Sequence, residues 1–349
     1  MRINDYFDGG NIDVQSAESP SDIRLNIRFD EGGRHGQWFY FQLCDARGEA
    51  CTITIENAGD TSYPKGFEDY GVATSTDLEH WIRVETDFDG QALSWRYTPE
   101  TDSVYFAYFA PYPFDRHQRL IGWALTSPGV SAEVLCTTPD GHTLNLLTLG
   151  EPAADKKSCW IIARQHPGET MAEWWVEGFL ERMLDPEDPV SRALLERAVV
   201  YVVPSMNPDG GVRGHLRCNA RGVNLNRAWK EPDVEDSPEV YFVRRRMHET
   251  GVDFFLDVHG DEALPYNFIA GGDTYFDSIS GLRSTCNCAE TSLTGQLFGP
   301  DGTGEFGGAL VAEFVIDVEQ HRLAAFFDHP LRVGEAKARC AARNDGFSF

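Results

Sequence analysis

The chain has 349 residues, more than one hydrophobic core usually organises, and its 42% apolar and 24% charged content is ordinary for a globular protein, so two domains are expected. A net charge of −25, from 30 basic against 55 acidic residues, argues against nucleic acid and anionic membranes as partners, because both require a basic face. Charge, Gly or Pro interrupts every apolar run before it could span a bilayer, and the start MRINDYFDGGNIDVQ lacks the basic-then-apolar pattern of a secretory signal, which points to a cytoplasmic protein.

Taken in chain order, the first 115 or so residues read as all-β. The runs DIRLNIRF, WFYFQLC, ACTITIEN, WIRVETDF, ALSWRYT and SVYFAYFAPYP are short and rich in β-branched and aromatic residues, with Gly, Asp, Asn and Pro between them. Their spacing predicts a β-sandwich over 1–118 whose aromatics fill its core. A join is expected near 112–124, in PYPFDRHQRLIGW, and a second domain over 119–349.

From there strands alternate with helices. EVLCTTP and LNLLTLG suggest a strand pair, and CWIIARQ a buried strand. TMAEWWVEGFLERML predicts an amphipathic helix with Glu173, Glu177 and Glu181 on its polar side. SRALLERA is a helix, VVYVVPS a buried strand, PEVYFVRRRMHET a helix, and DFFLDVHG a strand ending in histidine. The pattern predicts an α/β domain with a mixed, largely parallel sheet flanked by helices, whose sites lie at strand C-termini.

Eight cysteines are scattered along the chain, and reduced, mostly buried thiols are expected. Cys286 and Cys288 lack the second half of a zinc ribbon, so a metal or redox role for them is the weaker alternative.

The chemistry concentrates at two strand ends. RQHPGET places His166 and Glu169 three residues apart at a helix entry, a spacing that lets an imidazole and a carboxylate meet one ion. Alone, H-x-x-E is a weak signal that a surface histidine and a helix-start glutamate would also give. His259, at the end of FFLDVHG, occupies an equivalent place, and two histidines with one glutamate make a catalytic zinc set with a fourth position for water. Asp257 is either a partner for an imidazole N–H or a structural acid. Between the strand ends, SMNPDGGVRGHLRCNARGVNLNRAW carries a turn-former at Asn207–Gly210 and four arginines, 213, 217, 221 and 227. They form a surface basic patch or a pocket for a carboxylate, with Asn226 as a neutral donor.

HPGE, NPDG, RCN…GVNLNRAW and DVHG, in this order and spacing, resemble the zinc carboxypeptidases of the carboxypeptidase A superfamily, above all the cytosolic carboxypeptidase branch and its bacterial relatives. The β-rich segment ending in YFAYFAPYP resembles the small domain this branch carries ahead of its catalytic domain. The resemblance covers about 1–275. It implies one zinc ion held by His166, Glu169 and His259, an oxyanion-stabilising Arg217, and Asn226 with Arg227 gripping the terminal carboxylate of a peptide or protein substrate. It also implies a late general-base glutamate in a T-L-E-like strand, and no such tripeptide is present. Glu313, in GGALVAEFVIDVE, is the best candidate, ahead of Glu305, Glu319 and Glu335. The segment 278–349 is atypical of the family. Divergence around a retained glutamate, an altered or incomplete C-terminus, and an inactive zinc-keeping relative each explain it.

The expected function is therefore a zinc metallocarboxypeptidase that hydrolyses the C-terminal peptide bond through a zinc-activated water. The alternatives are a zinc deacylase of N-acyl amino acids, aspartoacylase-like, and a catalytically impaired relative that binds peptide C-termini. Glutamate-rich tails are one substrate option, for which Arg164, Arg213 and Arg221 are candidates, although the net charge works against it.

Overall fold

The computed structural model describes residues 1–262 and, as backbone alone, Ser292–Leu293, Phe314–Asp317 and Arg322–Ala325. The N-terminal part is built from β1 (Arg2–Asn4), β2 (Asp13–Ser19), β3 (Asp22–Asn26), β4 (Tyr40–Cys44), β5 (Cys51–Ile55), β6 (Gly71–Ser75), β7 (Ile82–Glu85), β8 (Asp87–Phe88), β9 (Leu93–Tyr97) and β10 (Ser103–Ala107). Period-two alternation explains how they pack. In β5, Cys51, Ile53 and Ile55 are buried while Thr52 and Thr54 stay partly exposed. The strands form two five-stranded sheets, β1-β4-β10-β6-β7 and β2-β3-β5-β9-β8, all pairs antiparallel except β3 with β5. Phe41, Val104 and Phe106 from one sheet meet Ile53, Ile55 and Trp95 from the other in a shared core. The aromatic runs of the sequence are therefore core residues, as expected.

Within the expected join lies α1 (Phe114–Ala124), entered through Pro113 and burying His117, Leu120 and Ala124. The second part continues with β11 (Val130–Thr137), β12 (Thr143–Leu149), β13 (Lys157–Ala163), α2 (Met171–Met183), α3 (Pro189–Arg197), β14 (Ala198–Val203), α4 (Pro208–Arg213), α5 (Pro238–Thr250) and β15 (Phe254–Val258). A further strand, β16 (Ser292–Leu293), completes a sheet in the order β11-β12-β14-β13-β15-β16. The sheet is mixed. Its interior strand β13 pairs parallel with both β14 and β15, and the outer pairings are antiparallel. All six residues of β14 are buried, which is why AVVYVV shows no alternation. Val240, Val243 and Met247 of α5 pack on Trp160, Ile162 and Tyr201 of the sheet.

Two local expectations are corrected. Asn207–Gly210 is a capped helix start, not a free turn: Asn207 Oδ1 accepts from Gly210 N–H and Pro208 opens α4. In α2, Glu173 is fully buried, since the side read as polar packs under α1. Glu177, on the same side, accepts from Tyr112 and Arg116.

A separate unit, Gly299–Phe349, contains β17 (Phe314–Asp317) paired antiparallel with β18 (Arg322–Ala325). Glu313, Glu305, Glu319 and Glu335 lie outside the described residues, as do Cys286, Cys288 and Cys340. The five described cysteines are free thiols.

Candidate metal centre and active site

Register brings the two chemical strand ends together. Ala163 and Val258, the last residues of β13 and β15, are direct partners, so the loops that follow leave the sheet side by side. The first loop turns at Arg164, which takes a left-handed φ of 54°. Its guanidinium holds that conformation by donating to Pro167 O, Tyr112 O and Glu173 Oε2. The glycine of HPGE sits at a close approach: Gly168 N–H donates to Leu216 O at 2.9 Å, and a Cβ there would lie a tight 3.1 Å from that oxygen. Gly260, after His259, donates to Glu169 Oε2 at 3.0 Å, and a Cβ there would meet Met171 Sδ at 2.0 Å.

These approaches converge on three side chains. His166, Glu169 and His259 each offer one ligand atom within 4.8 Å of the others, and all three are buried. His166 Nδ1 is 2.6 Å from Glu169 Oε1, and His259 Nδ1 is 2.8 Å from Oε2. The far nitrogens fix the tautomers. His259 Nε2 faces Asp257 Oδ2 at 2.9 Å, and His166 Nε2 faces Asn224 Oδ1 at 3.1 Å. The same Asn224 oxygen accepts Asn226 N–H, which orients the amide with its oxygen toward the ring. With a cation between them, each imidazole would give its N–H outward and turn its Nδ1 lone pair inward, toward the ion.

Burial pushes His166 down to about 4, and the Arg217 charge adds to the effect, so its ring is neutral near pH 7. Two imidazole nitrogens and a carboxylate facing one another in a buried pocket fit a divalent cation. This N,N,O set suits zinc with one position left open.

The other predicted residues gather at the same place, one excepted. Arg217, 5% exposed, points Nη1 at Glu169 Oε1 from 3.9 Å. Asn226 is buried with Nδ2 3.3 Å from His259 Nε2, and the exposed Arg227 turns Nη1 to Asn226 O at 3.0 Å. Asp257 is the imidazole partner that its position suggested. Glu313 falls outside the described residues.

Two profile matches bear on this geometry. Residues 3–109 match the cytosolic carboxypeptidase N-terminal domain, and residues 124–266 match zinc carboxypeptidase. The chain belongs to the zinc carboxypeptidase family. As a member it is a peptide-bond hydrolase of the metallocarboxypeptidase type, and the family implies Zn2+. Among solved structures it is similar to a metallo-carboxypeptidase from Burkholderia cenocepacia, at 50% identity, TM-score 0.76, over 78% of this chain and 73% of that one. It is also similar to a metallo-carboxypeptidase from Pseudomonas aeruginosa in complex with (2-guanidinoethylmercapto)succinic acid, at 43% identity, TM-score 0.75, over 79% and 75%. An uncharacterized protein of Zymomonas mobilis is 49% identical over 81% of this chain and 72% of its own length. Cytosolic carboxypeptidase 2 of Xenopus tropicalis is 29% identical over 78% of this chain, which spans 32% of that longer relative. No described helix is long and apolar enough to cross a membrane.

Three residues of the site escaped sequence reasoning. Asn224 orients His166, and its signal was the repeated Asn in NLNR. Gln165, beside His166, donates to Asp257 Oδ2 at 2.6 Å and accepts from Trp229 Nε1 at 2.8 Å. Asp30, in FDEGG, reaches the Arg217 loop from the β-sandwich, and no local pattern marks it. Conversely, Arg164 is buried in internal bonds and Arg213 is paired with Asp140 and Glu31, so neither faces a substrate. Of the three arginines considered for glutamate-rich tails, Arg221 alone is exposed.

Proposed function

We propose that this chain removes the C-terminal residue of peptides or proteins as a zinc-dependent carboxypeptidase, with a β-sandwich domain over 1–118 and a catalytic domain over 119–349. The observation that carries this reading is the inward-facing His166–Glu169–His259 donor set with the Arg217 guanidinium beside it. Zinc, when bound, supplies Lewis acidity to a water and to the scissile carbonyl. His166, Glu169 and His259 hold the ion, and Asp257 and Asn224 keep the rings in the ligating tautomer. Arg217 donates to the oxygen that gains charge as the carbonyl is attacked. Asn226 and Arg227 bind the substrate's terminal carboxylate, and Glu313 is the general base that takes the water's proton.

Two comparisons support the reading. The ligand of the Pseudomonas aeruginosa relative is by name a succinic acid, whose two carboxylates suit a metal and an arginine-lined carboxylate pocket together. The N-terminal match to the cytosolic carboxypeptidase domain favours peptide hydrolysis over N-acyl amino acid hydrolysis. Similarity to proteins named cytosolic favours a cytoplasmic location.

The test combines metal analysis with release of C-terminal amino acids from a peptide panel. One zinc per chain and turnover are expected, with kcat falling roughly 100- to 1,000-fold in Arg217→Ala, and turnover lost in Glu313→Gln at unchanged zinc. A zinc-loaded, folded protein that binds these peptides and releases nothing would instead identify the peptide-binding relative.

A further inference from the structure

Arg217 sits on a loop whose supports come from the other domain. Asp30, 3% exposed, accepts three successive backbone N–H groups of that loop: Leu216 on Oδ1 at 2.6 Å, and Arg217 and Cys218 on Oδ2 at 2.8 and 2.7 Å. The turn bearing Asp30 is itself closed, Asp30 N–H donating to His35 O and Gly33 N–H to Asp30 O. On either side the same two segments clasp again. Glu31 N–H donates to His215 Nε2, His215 Nδ1 donates to Cys218 O, and Asn11 Nδ2 donates to Gly214 O. The head group is held from the sandwich as well, because the Arg217 guanidinium carbon lies 5.8 Å from the centroid of the Tyr63 ring. Tyr63 is fixed in turn by the fully buried Gln37, which accepts from its N–H at 2.7 Å and donates to its carbonyl at 2.9 Å.

We propose that Asp30 and Tyr63 are positioning residues for Arg217, so that the β-sandwich sets the aim of the oxyanion-stabilising group. This rests on the role of Arg217 proposed above. Asp30 fixes where the loop backbone lies, and Tyr63 fixes the direction of the guanidinium along it. A carboxylate suits position 30 because both of its oxygens accept, whereas an asparagine has one accepting oxygen and turns an N–H2 group toward at least one of the three backbone N–H groups. An oxyanion donor stabilises charge only when aimed where the charge develops, so a displacement of about 1 Å is expected to lower turnover without weakening substrate capture in proportion.

The experiment is a double-mutant cycle on the full-length zinc-loaded protein. It measures kcat, KM and zinc content for wild type, Asp30→Asn, Tyr63→Leu and Arg217→Ala, and for each of the first two combined with Arg217→Ala. Asp30→Asn is expected to lower kcat by about 10- to 100-fold and Tyr63→Leu by about 3- to 10-fold. In both, KM stays within about 2-fold and zinc remains bound. In the Arg217→Ala background each is expected to change kcat by less than about 2-fold, since the group they aim is gone. Equal losses in both backgrounds, or no loss in wild type, would overturn the proposal while leaving the role of Arg217 intact. Wild-type kcat in Arg217→Ala would overturn that role and the proposal with it. Should Asp30→Asn fail to fold, Tyr63→Leu decides alone, because its half-buried ring lies under the guanidinium.

Discussion

Two glutamates one helical turn apart are neutralised in different ways. Glu169 faces the Nδ1 atoms of two imidazoles, with the Arg217 guanidinium 3.9 Å off. Glu173 sits between His117 Nδ1 at 2.6 Å and Arg164 Nη1 at 2.7 Å, and so carries its counter-charge permanently. The second cluster is complete as a structural element. The first becomes complete when a cation enters, which is what separates a binding site from a buried ion pair of similar composition. Glu239 provides a third case. Buried with Asn219 Nδ2 at 3.2 Å, its carboxyl is pushed up to about 7, chiefly by burial, so in weakly acidic solution a proton does what a metal or an arginine does for the others.

The largest expected effect breaks the first of these. His259→Ala removes one of three donors and should leave the protein with little zinc and at least about 1,000-fold less peptide hydrolysis, read by metal analysis and a C-terminal release assay. Glu173→Ala sharpens the contrast. It strands Arg164 in the interior and should lower stability by about 3–5 kcal/mol in denaturant titrations, while the folded fraction still holds zinc. Loss of zinc ahead of loss of fold in that variant would mean the two clusters are one. The smallest effect belongs to Glu239. An ordinary glutamate titrates near 4.5. Below that pH folded and unfolded chains both keep the proton. Above it the unfolded chain releases the proton and the folded one holds it, so stability falls as pH rises until the folded form titrates near 7. The loss attributable to this group is up to about 3 kcal/mol. Glu239→Gln should remove that component, seen as a shallower fall in melting temperature between pH 4.5 and 7.

These contrasts also explain what the sequence made legible. His166, Glu169 and His259 could be read because each follows a strongly apolar strand and the motif spacing is local. The sandwich and the α/β order were legible for the same reason, as continuous or alternating apolar runs. Glu173 was misread because a helix pattern distinguishes an apolar side from a polar one but does not reveal that α1 covers the polar side. The short strand GVATS offers too few residues for a period to show, and α1, although amphipathic, lies in the stretch that reads as the domain join. Asn224 and Asp30 act through partners 58 and about 190 positions away, and no window of sequence contains both ends of such a contact.

The separation of Asp30 from its loop also bears on how the protein is made. Translation finishes the sandwich well before residues 216–218 leave the ribosome, at about 5–20 residues per second. The carboxylate that receives the loop is then in place about 5–20 seconds before its three donors exist. Assembly of the arginine loop is thus a docking step onto a finished surface, and the nascent chain acquires its hydrolytic geometry only when that step is done.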